Sequence, residues 1–324
     1  MGAAFFPMTV AAEQILNIVV PCYNEQEALP ETARCLSELL DRMAQQGMVS
    51  PESGIYFVDD GSADLTWTVI EEHCAHRPQR FHGIKLSRNR GHQNALLAGL
   101  RLAPGDMVVS IDADLQDDPE TIVNMVRRFQ EGCDIVFGVR SSRHSDSTFK
   151  RQSARSYYGL LRWLGADIIT DHADFRLMSR RALDALARYS EVNLFLRGIV
   201  PLLGFTTANE YYDRRPRLAG ETKYPLSRML ALSVDGITSL SMRPLRLITG
   251  MGFAVSMVSF LVGFWAVGIR IFSNSALPGW TSIVVPISLI GGLQLLSLGM
   301  IGEYIGKIYL EVKRRPLFEI EKVI

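Results

Sequence analysis

The chain has 324 residues, enough for one large domain or two ordinary ones, and 48% of them are hydrophobic. Its mean hydropathy of +0.11 is slightly high for a wholly soluble protein, which indicates that part of the chain lies in lipid. Basic and acidic residues number 34 each, so the formal net charge is zero. A general binder of nucleic acid or of another polyanion is therefore excluded, and any anion site must be local.

Residues 1–15 are predicted to form a flexible tail. Their apolar beginning carries no lysine or arginine and is interrupted by Pro7, which is not typical of a secretory signal peptide. The four cysteines are irregularly spaced and form no Cys-x-x-Cys pair. This pattern indicates neither a zinc site nor a disulfide framework, and it fits a reducing compartment.

Between residues 16 and 138, short β-branched runs alternate with amphipathic helical stretches. The predicted strands are "ILNIVVP", "GIYFVDD", "FHGIKLS", "DMVVSID" and "CDIVFGV". Such alternation predicts a mainly parallel, doubly wound α/β sheet, in which ligands bind beyond the carboxyl ends of the strands. Polar clusters follow four of these strands, namely "CYNE", "DDGS", "SRNRG" and "DADLQDD". We therefore expect one shared crevice at this edge of the sheet.

The segment "SIDADLQDDPE", residues 110–120, holds five acidic residues in eleven. Repulsion and desolvation make such a cluster costly unless a cation lies among the carboxylates. Asp112 and Asp114 are two residues apart at a strand end, so both can project to one side, and Gln116 can add a neutral oxygen. These donors suit Mg²⁺ or Mn²⁺ with positions left open for phosphate oxygens. The remaining acidic residues of the segment are predicted to begin the next helix, with Pro119 as its first residue.

A second acidic strand end is "VDDGSADLT", residues 58–66. Asp59 or Asp60 could accept hydrogen bonds from a base or a ribose, whereas Ser62 or Asp64 could cap the following helix. Only the Asp59–Asp60 pair calls for a ligand.

The second half of the chain contains two uncharged apolar stretches, residues 247–269 and 280–302. Each is close to the ~20 residues that span a bilayer as a helix. Basic residues flank the pair on its outer sides, whereas the connection between the stretches has few charges. The positive-inside rule thus predicts a multi-pass protein of the cytoplasmic membrane, with the α/β domain and both termini in the cytoplasm.

The sequence therefore divides into a tail (1–15), an α/β domain (16–222), a linking segment (223–246), two transmembrane helices with a short external loop (247–306) and a cytoplasmic basic tail (307–324). The linking segment mixes apolar and basic residues at roughly helical spacing. It fits amphipathic helices lying on the membrane, and it equally fits a packing helix of the α/β domain.

Several motifs together resemble a known family. The motifs "VVPCYNE", "VDDGSADLT", "SRNRGHQNALLAGL", "DADLQDDPE", "ADFRLMSR", "RLAGETKY" and "GEYIGKIYLEVKRRP" occur in this order between about residues 16 and 318. The chain resembles the family-2 glycosyltransferases that act on polyprenyl phosphate, above all the bactoprenol glucosyltransferase group, with dolichol-phosphate mannose synthase as a relative. The resemblance implies a GT-A fold, a divalent metal (Mg²⁺ or Mn²⁺), inversion at the anomeric carbon, a nucleotide-sugar donor and a lipid-phosphate acceptor such as undecaprenyl phosphate. It also implies a homotetramer, and UDP-glucose is the first choice of donor, with mannose, N-acetylhexosamine and aminoarabinose donors left open.

Carried onto matching positions, the resemblance assigns roles to individual residues. Those implied to hold the nucleoside or donor are Pro21, Tyr23, Glu25, Asp59, Asp60 and Asp112. Those implied to surround the metal and diphosphate are Asp112, Asp114 and Gln116. Those implied to hold donor or acceptor phosphates are Arg140, Arg151, Arg217 and Lys223, although Arg214 and Arg215 compete with Arg217 for its role.

The chemistry of the acceptor explains this mixture of charges. A phosphate monoester is largely a dianion at neutral pH, so the nucleophile needs no strong general base. Two phosphate groups must nevertheless approach one anomeric carbon, and a metal together with arginine or lysine offsets their repulsion.

The motif "HADFRLMSR" is ambiguous by sequence. Asp174 could orient the acceptor or a donor hydroxyl and is included among the catalytic candidates, while Phe175, Leu177 and Met178 are typical of a buried core. His92 and His172 are interpreted as structural or surface residues.

Three other functions agree less well with the sequence than single sugar transfer does. A processive polysaccharide synthase shares the fold and the Asp-x-Asp pair, but its Gln-x-x-Arg-Trp motif is missing, because Gly159 precedes Arg162 and Trp163 where glutamine is required. A non-catalytic membrane scaffold would have lost the acidic residues that are present here. Nucleotidyl transfer does not explain the two apolar stretches.

Overall fold

The computed structural model describes residues 13–140, 172–189, 191, 196–213, 245, 248–255, 257, 258, 261 and 280–324. The chain divides into two compact units. The first comprises Met1–Arg151, Ile169–Lys223 and Pro316–Ile324, and the second comprises Gln152–Ile168 and Tyr224–Arg315.

The described part of the first unit alternates strands with helices. Its strands are β1 (Leu16–Cys22), β2 (Gly54–Asp59), β3 (Phe81–Leu86), β4 (Met107–Ser110), β5 (Ile135–Arg140), β6 (His172–Ser179), β7 (Thr207–Tyr212) and β8 (Ile320–Val323). Its helices are α1 (Leu29–Gln45), α2 (Thr66–His76), α3 (His92–Leu102), α4 (Thr121–Gln130), α5 (Arg180–Ala187) and α6 (Leu196–Leu202).

All these strands form a single mixed sheet in the order β7-β5-β6-β4-β1-β2-β3-β8. β1 pairs in parallel with β2 and β4, β2 with β3, and β5 with β7. β6 is antiparallel to both of its neighbours, and β8 is antiparallel to β3. The predicted α/β class is confirmed by this alternation of strands and helices.

Helices cover both faces of the sheet. Every residue of β1 is buried, because its apolar run packs on two sides. Leu36 and Leu40 of α1 belong to the apolar core on one face, whereas Leu96 and Leu100 of α3 belong to the core on the other. These two cores hold the strands rigidly, so that the loops at their carboxyl ends have a fixed base.

The last strand, β8, was not predicted. Residues 316–324 return to the first unit, where the Gly83 amide donates to the carbonyl of Ile324 and the Ile324 amide donates to that of Gly83, both at 2.9 Å. Ile324 also packs against an apolar core. The strand thereby pairs the backbone groups at the edge of β3, which would otherwise need another partner.

In the second unit, helix α7 (Trp280–Lys313) runs for 34 residues with Pro286 inside it. Residues 248–255 are also helical. None of the helices in the described ranges combines the length and apolarity that crossing a membrane requires. The two predicted transmembrane helices are thus not confirmed. Much of the first one, and nearly all of segment 223–246, lies outside the described residues.

Candidate active site at the carboxyl ends of the strands

The loops after β1 and β2 are joined by reciprocal hydrogen bonds. The Asn24 amide donates to Oγ of Ser62 at 3.0 Å, and Oδ1 of Asn24 accepts from the Ala63 amide at 2.9 Å. The Glu25 amide donates to Oγ1 of Thr66 at 2.8 Å. Asn24 has a φ of 54°, a left-handed conformation that asparagine tolerates better than most residues. The first two polar clusters therefore share one edge of the sheet, as the sequence predicts.

Asp60 ties the loop after β2 to the loop after β3. Its two carboxylate oxygens accept from the backbone amides of Arg90 and Gly91, at 2.7 and 2.8 Å. The loops also touch directly at Gly61, where φ is +67° and a Cβ would lie 2.6 Å from the Asn89 nitrogen. Three of the four predicted strand ends are thus joined through side-chain and backbone contacts.

The predicted donor-binding residues differ in how deeply they are buried. Pro21 and Asp59 are buried, and Oδ1 of Asp59 accepts from the Ser62 amide at 3.1 Å. Burial raises the pKa of both Asp59 and Asp60. Tyr23 is 48% exposed, and Glu25 is partly exposed. Tyr23 and Glu25 thus lie where a ligand can reach them, whereas the Asp59–Asp60 pair lies beneath the surface and supports the loops.

The acidic segment after β4 forms a tight turn. Oδ1 of Asp114 accepts from the Gln116 amide at 3.2 Å, and Leu115 between them has a φ of 50°. The carbonyl of Ala113 accepts from Oγ1 of Thr32 at 2.6 Å, which fixes the turn against α1. Asp112, Asp114 and Gln116 are all partly exposed. The turn thus holds the predicted metal-binding oxygens in one short stretch.

Within this acidic segment, the surroundings of Asp112 clearly raise its pKa. Desolvation, together with the charges of Asp117, Asp174 and Asp114, raises the pKa of Asp112 to about 6 despite the opposing effect of His92. A divalent cation would relieve this crowding of negative charge. Two carboxylates and an amide are oxygen donors of the kind that Mg²⁺ and Mn²⁺ prefer, so the residues fit the implied metal. Across the described ranges, no three His, Cys, Asp or Glu side chains are grouped so that they could hold a metal ion by themselves.

The prediction that Asp117 begins the next helix, with Pro119 as its first residue, is wrong. Helix α4 begins at Thr121, and Asp117 is 1% exposed. Its Oδ1 accepts from the Tyr212 hydroxyl at 2.5 Å and lies 3.6 Å from Nη2 of Arg140. Burial and Asp117 raise the pKa of Tyr212 above its ordinary value. Asp117 therefore positions Arg140, one of the predicted phosphate-binding residues, at the end of β5.

Asp174 lies on β6 at the centre of a second charged cluster. It is 5% exposed, and Arg176, which is fully buried, donates to its Oδ1 at 3.0 Å. Arg197 of α6 donates to both oxygens, at 3.2 and 3.0 Å. The Asp174 carbonyl accepts from Oγ of Ser110 at 2.5 Å, which connects β6 to the end of β4.

These surroundings determine the ionisation of Asp174. Burial alone would raise its pKa, but the hydrogen bond from His92 and the positive charges of Arg176 and Arg197 bring the pKa well below its usual range. The expectation that Phe175, Leu177 and Met178 form core is confirmed, since all three are at most 1% exposed.

His92 lies between the two acidic centres, which the sequence interpretation did not anticipate. It is the first residue of α3, directly after Gly91. Its Nε2 lies 3.4 Å from Oδ2 of Asp174 and 3.6 Å from Oδ1 of Asp112. The loop after β3 thus delivers a nitrogen base to the place where the ends of β4 and β6 meet.

Several participants were missed in the sequence, namely His92, Asp117, Arg176, Arg197 and Tyr212. For Arg176 the available signal was a charged residue inside an otherwise apolar run, since it interrupts "DFRLM". Three predicted phosphate-binding residues, Arg151, Arg217 and Lys223, lie outside the described residues, and so does the pair Arg214 and Arg215.

Comparison with known proteins identifies the class to which this sheet and crevice belong. A family profile, glycosyl transferase family 2, matches residues 17–187. The chain belongs to this family and is a glycosyltransferase.

Individual relatives match almost the whole chain. An uncharacterized glycosyltransferase of Bacillus subtilis (strain 168), YkoT, is 47% identical over 96% of this chain and 92% of its own length. The prophage bactoprenol glucosyl transferase homolog of Escherichia coli (strain K12) is 37% identical over 95% of this chain and 99% of its own. The bactoprenol glucosyl transferase of Shigella phage SfII is 37% identical over 95% and 97%. The resemblance to the bactoprenol glucosyltransferase group is thereby confirmed.

Proposed function

We propose that this glycosyltransferase moves a single sugar, glucose from UDP-glucose, to polyprenyl phosphate and inverts the anomeric carbon. The observation that carries the proposal is the crowding of Asp112 and Asp114 beside a buried, arginine-held carboxylate in a chain of zero net charge. Such a crevice suits a reaction between two phosphate-bearing substrates. The names of relatives that match from end to end support the lipid acceptor and the sugar.

The donor half of the crevice would bind the nucleotide sugar. Tyr23 and Glu25 are accessible beside the loops that Asp60 and Gly61 hold together. Asp112, Asp114 and Gln116 would hold a divalent cation, which when bound would neutralise charge on the diphosphate. The oxygen donors and the nucleoside-facing residues thus lie on neighbouring loops of one sheet edge.

The acceptor half would use arginine and lysine. A phosphate oxygen of the acceptor forms a bond to the anomeric carbon as the bond from that carbon to the nucleoside diphosphate breaks, and the configuration inverts. The dianionic acceptor carries no proton that must be removed, so the residues need only position it. Arg140, braced by Asp117 and Tyr212, is the described residue proposed for this role, together with Arg151, Arg217 and Lys223.

The acceptor places the reaction at a membrane. The apolar stretches 247–269 and 280–302 are proposed as two transmembrane helices, with the catalytic unit and both termini cytoplasmic and a homotetramer as the assembly. Support comes from the length of the uncharged stretches and from the basic residues that flank them.

A transfer assay tests the proposal. The purified full chain is given radiolabelled UDP- and GDP-sugars with undecaprenyl phosphate, in Mg²⁺, in Mn²⁺ and in EDTA. We expect one glycolipid extractable into organic solvent, formed from UDP-glucose and absent in EDTA. Asp114→Asn should lose at least 100-fold in rate, because a metal ligand is removed. Asp118→Asn, four residues further along the same segment, serves as the matched control and should keep most of the activity.

The alternative functions predict other outcomes. Label entering a polymer would favour a processive synthase, and transfer to no acceptor from any donor would favour a scaffold. Activity that survives both EDTA and Asp114→Asn would contradict the metal site.

A further inference from the structure

The imidazole of His92 bridges two carboxylates that come from different strands. Its Nε2 is within 3.4 Å of Asp174 and 3.6 Å of Asp112, while 44% of its side-chain surface stays exposed. An ordinary surface histidine at the start of a helix would point into solvent. The position of this ring between two acidic groups instead indicates a specific contact.

One end of the bridge is rigid. Asp174 is held by two arginines, one of them fully buried, and its own carbonyl is bonded to Ser110. Its carboxylate therefore has little freedom to rotate. The other end, Asp112, has 40% of its side chain exposed and lies beyond the last residue of β4. A contact from the rigid end can thus restrict the rotation of the exposed end.

We propose that His92 is a positioning residue that fixes the rotation of the Asp112 carboxylate by linking it to the Asp174–Arg176–Arg197 cluster. This inference rests on the proposed function, in which Asp112 holds the cation and the diphosphate. Contact with Oδ1 of Asp112 leaves Oδ2 to serve the cation. Carboxylates that bind metals are commonly oriented by such a second layer of contacts, and losing one typically weakens metal affinity or activity 10–100-fold.

The role is geometric, so an uncharged donor of similar reach should replace the ring. His92→Gln supplies an amide N–H, whereas His92→Leu keeps similar bulk and supplies none. His76→Leu is the matched control: His76 is an exposed histidine on α2 whose Nδ1 is 2.8 Å from the Glu72 carbonyl. The three variants thus separate loss of a donor from loss of a histidine.

Mn²⁺ affinity gives a readout that does not depend on turnover. It is measured by electron paramagnetic resonance of unbound Mn²⁺ during titration of the purified full chain, with and without UDP. The transfer rate and the midpoint of thermal unfolding are measured on the same samples. For His92→Leu we expect Mn²⁺ affinity and kcat to fall at least 10-fold with an unfolding midpoint within about 2 °C of wild type. His92→Gln and His76→Leu should stay within about threefold of wild type in both affinity and kcat.

Each outcome bears on one of the two hypotheses. Wild-type Mn²⁺ affinity and kcat in His92→Leu would overturn the inference and leave the proposed function intact. A lower unfolding midpoint with unchanged Mn²⁺ affinity would also overturn it, because His92 would then be merely structural. Failure of the wild-type chain to bind Mn²⁺ or to transfer sugar would overturn the proposed function, and the inference with it.

Discussion

Replacing Asp174 by asparagine tests whether this carboxylate acts on substrate or holds the site together. The substitution keeps the shape of the side chain and removes its charge. Arg176 would then be a fully buried cation without the carboxylate that pairs with it, and Arg197 would lose one of the two carboxylate oxygens to which it donates. The sequence interpretation, in which Asp174 orients the acceptor or a donor hydroxyl, predicts lost activity without a large loss of stability.

The structure predicts a large loss of stability. Breaking a buried ion pair by removing one partner typically costs about 3–5 kcal/mol, because an uncompensated buried charge remains. The asparagine oxygen still accepts one hydrogen bond, so we expect the low end, about 3 kcal/mol. For a unit of about 200 residues, each kcal/mol lowers the unfolding midpoint by about 2–4 °C. Asp174→Asn should therefore lower this midpoint by about 6–12 °C.

Thermal unfolding of the purified full chain, followed by circular dichroism, measures this shift. Asp184→Asn, an exposed carboxylate on α5, is the control and should change the midpoint by less than about 2 °C. The double variant Asp174→Leu, Arg176→Met replaces the charged pair by apolar groups and should regain part of the loss. An Asp174→Asn protein that unfolds at the wild-type temperature but transfers no sugar would refute the structural reasoning.

Three further predictions concern the frame around the site. Arg181 donates two hydrogen bonds to Asp134 and holds its pKa below the ordinary value. This stabilisation is complete above about pH 4, where the aspartate of the unfolded chain ionises, and it is lost as the pH falls through the folded pKa. Asp134→Asn should therefore make the unfolding midpoint fall less steeply on the acid side of its pH profile. Gly61→Ala should weaken UDP binding several-fold in calorimetry, because the φ of +67° and the adjacent loop leave no room for a Cβ. Gly132→Ala is the control, since Gly132 is also at positive φ but has no close neighbour. It should lower the unfolding midpoint and leave UDP binding unchanged. Removing residues 320–324 deletes the antiparallel ladder with β3 and the two backbone hydrogen bonds between Ile324 and Gly83. At about 1 kcal/mol each, those two bonds alone should lower the unfolding midpoint by about 4–8 °C, and an unchanged midpoint would contradict the observed pairing.

The parallel half of the fold could be predicted because local pattern determines it. β1, β2 and β3 are short apolar runs followed by turn residues, and the helices between them have one apolar face. Parallel strands linked by helices place their carboxyl ends together, so the joined loops around Asn24 and Asp60 follow from the order of the elements.

The antiparallel strands could not be predicted in this way. β6 enters the sheet between β4 and β5, although it follows β5 in the chain. This pairing decides that Asp174 lies beside Ser110 and close to His92, and no local pattern specifies it. β8 is still more remote, since it pairs with a strand more than 200 residues earlier. Long-range pairing thus supplied the part of the site that the sequence missed.

The same pairing explains how a chain without net charge builds a charged site. β4 contributes carboxylates at its end, and β6, its antiparallel neighbour, contributes Asp174 and Arg176 next to them. Arg176 is 0% exposed, and burying a guanidinium is tolerable only with a paired anion. Asp174 is the anion that pairs with Arg176, and it is also positioned to hold His92 against Asp112. The buried Asp174–Arg176 pair therefore gives the exposed carboxylates after β4 a rigid neighbour, which helps them to keep one geometry although their charges repel one another.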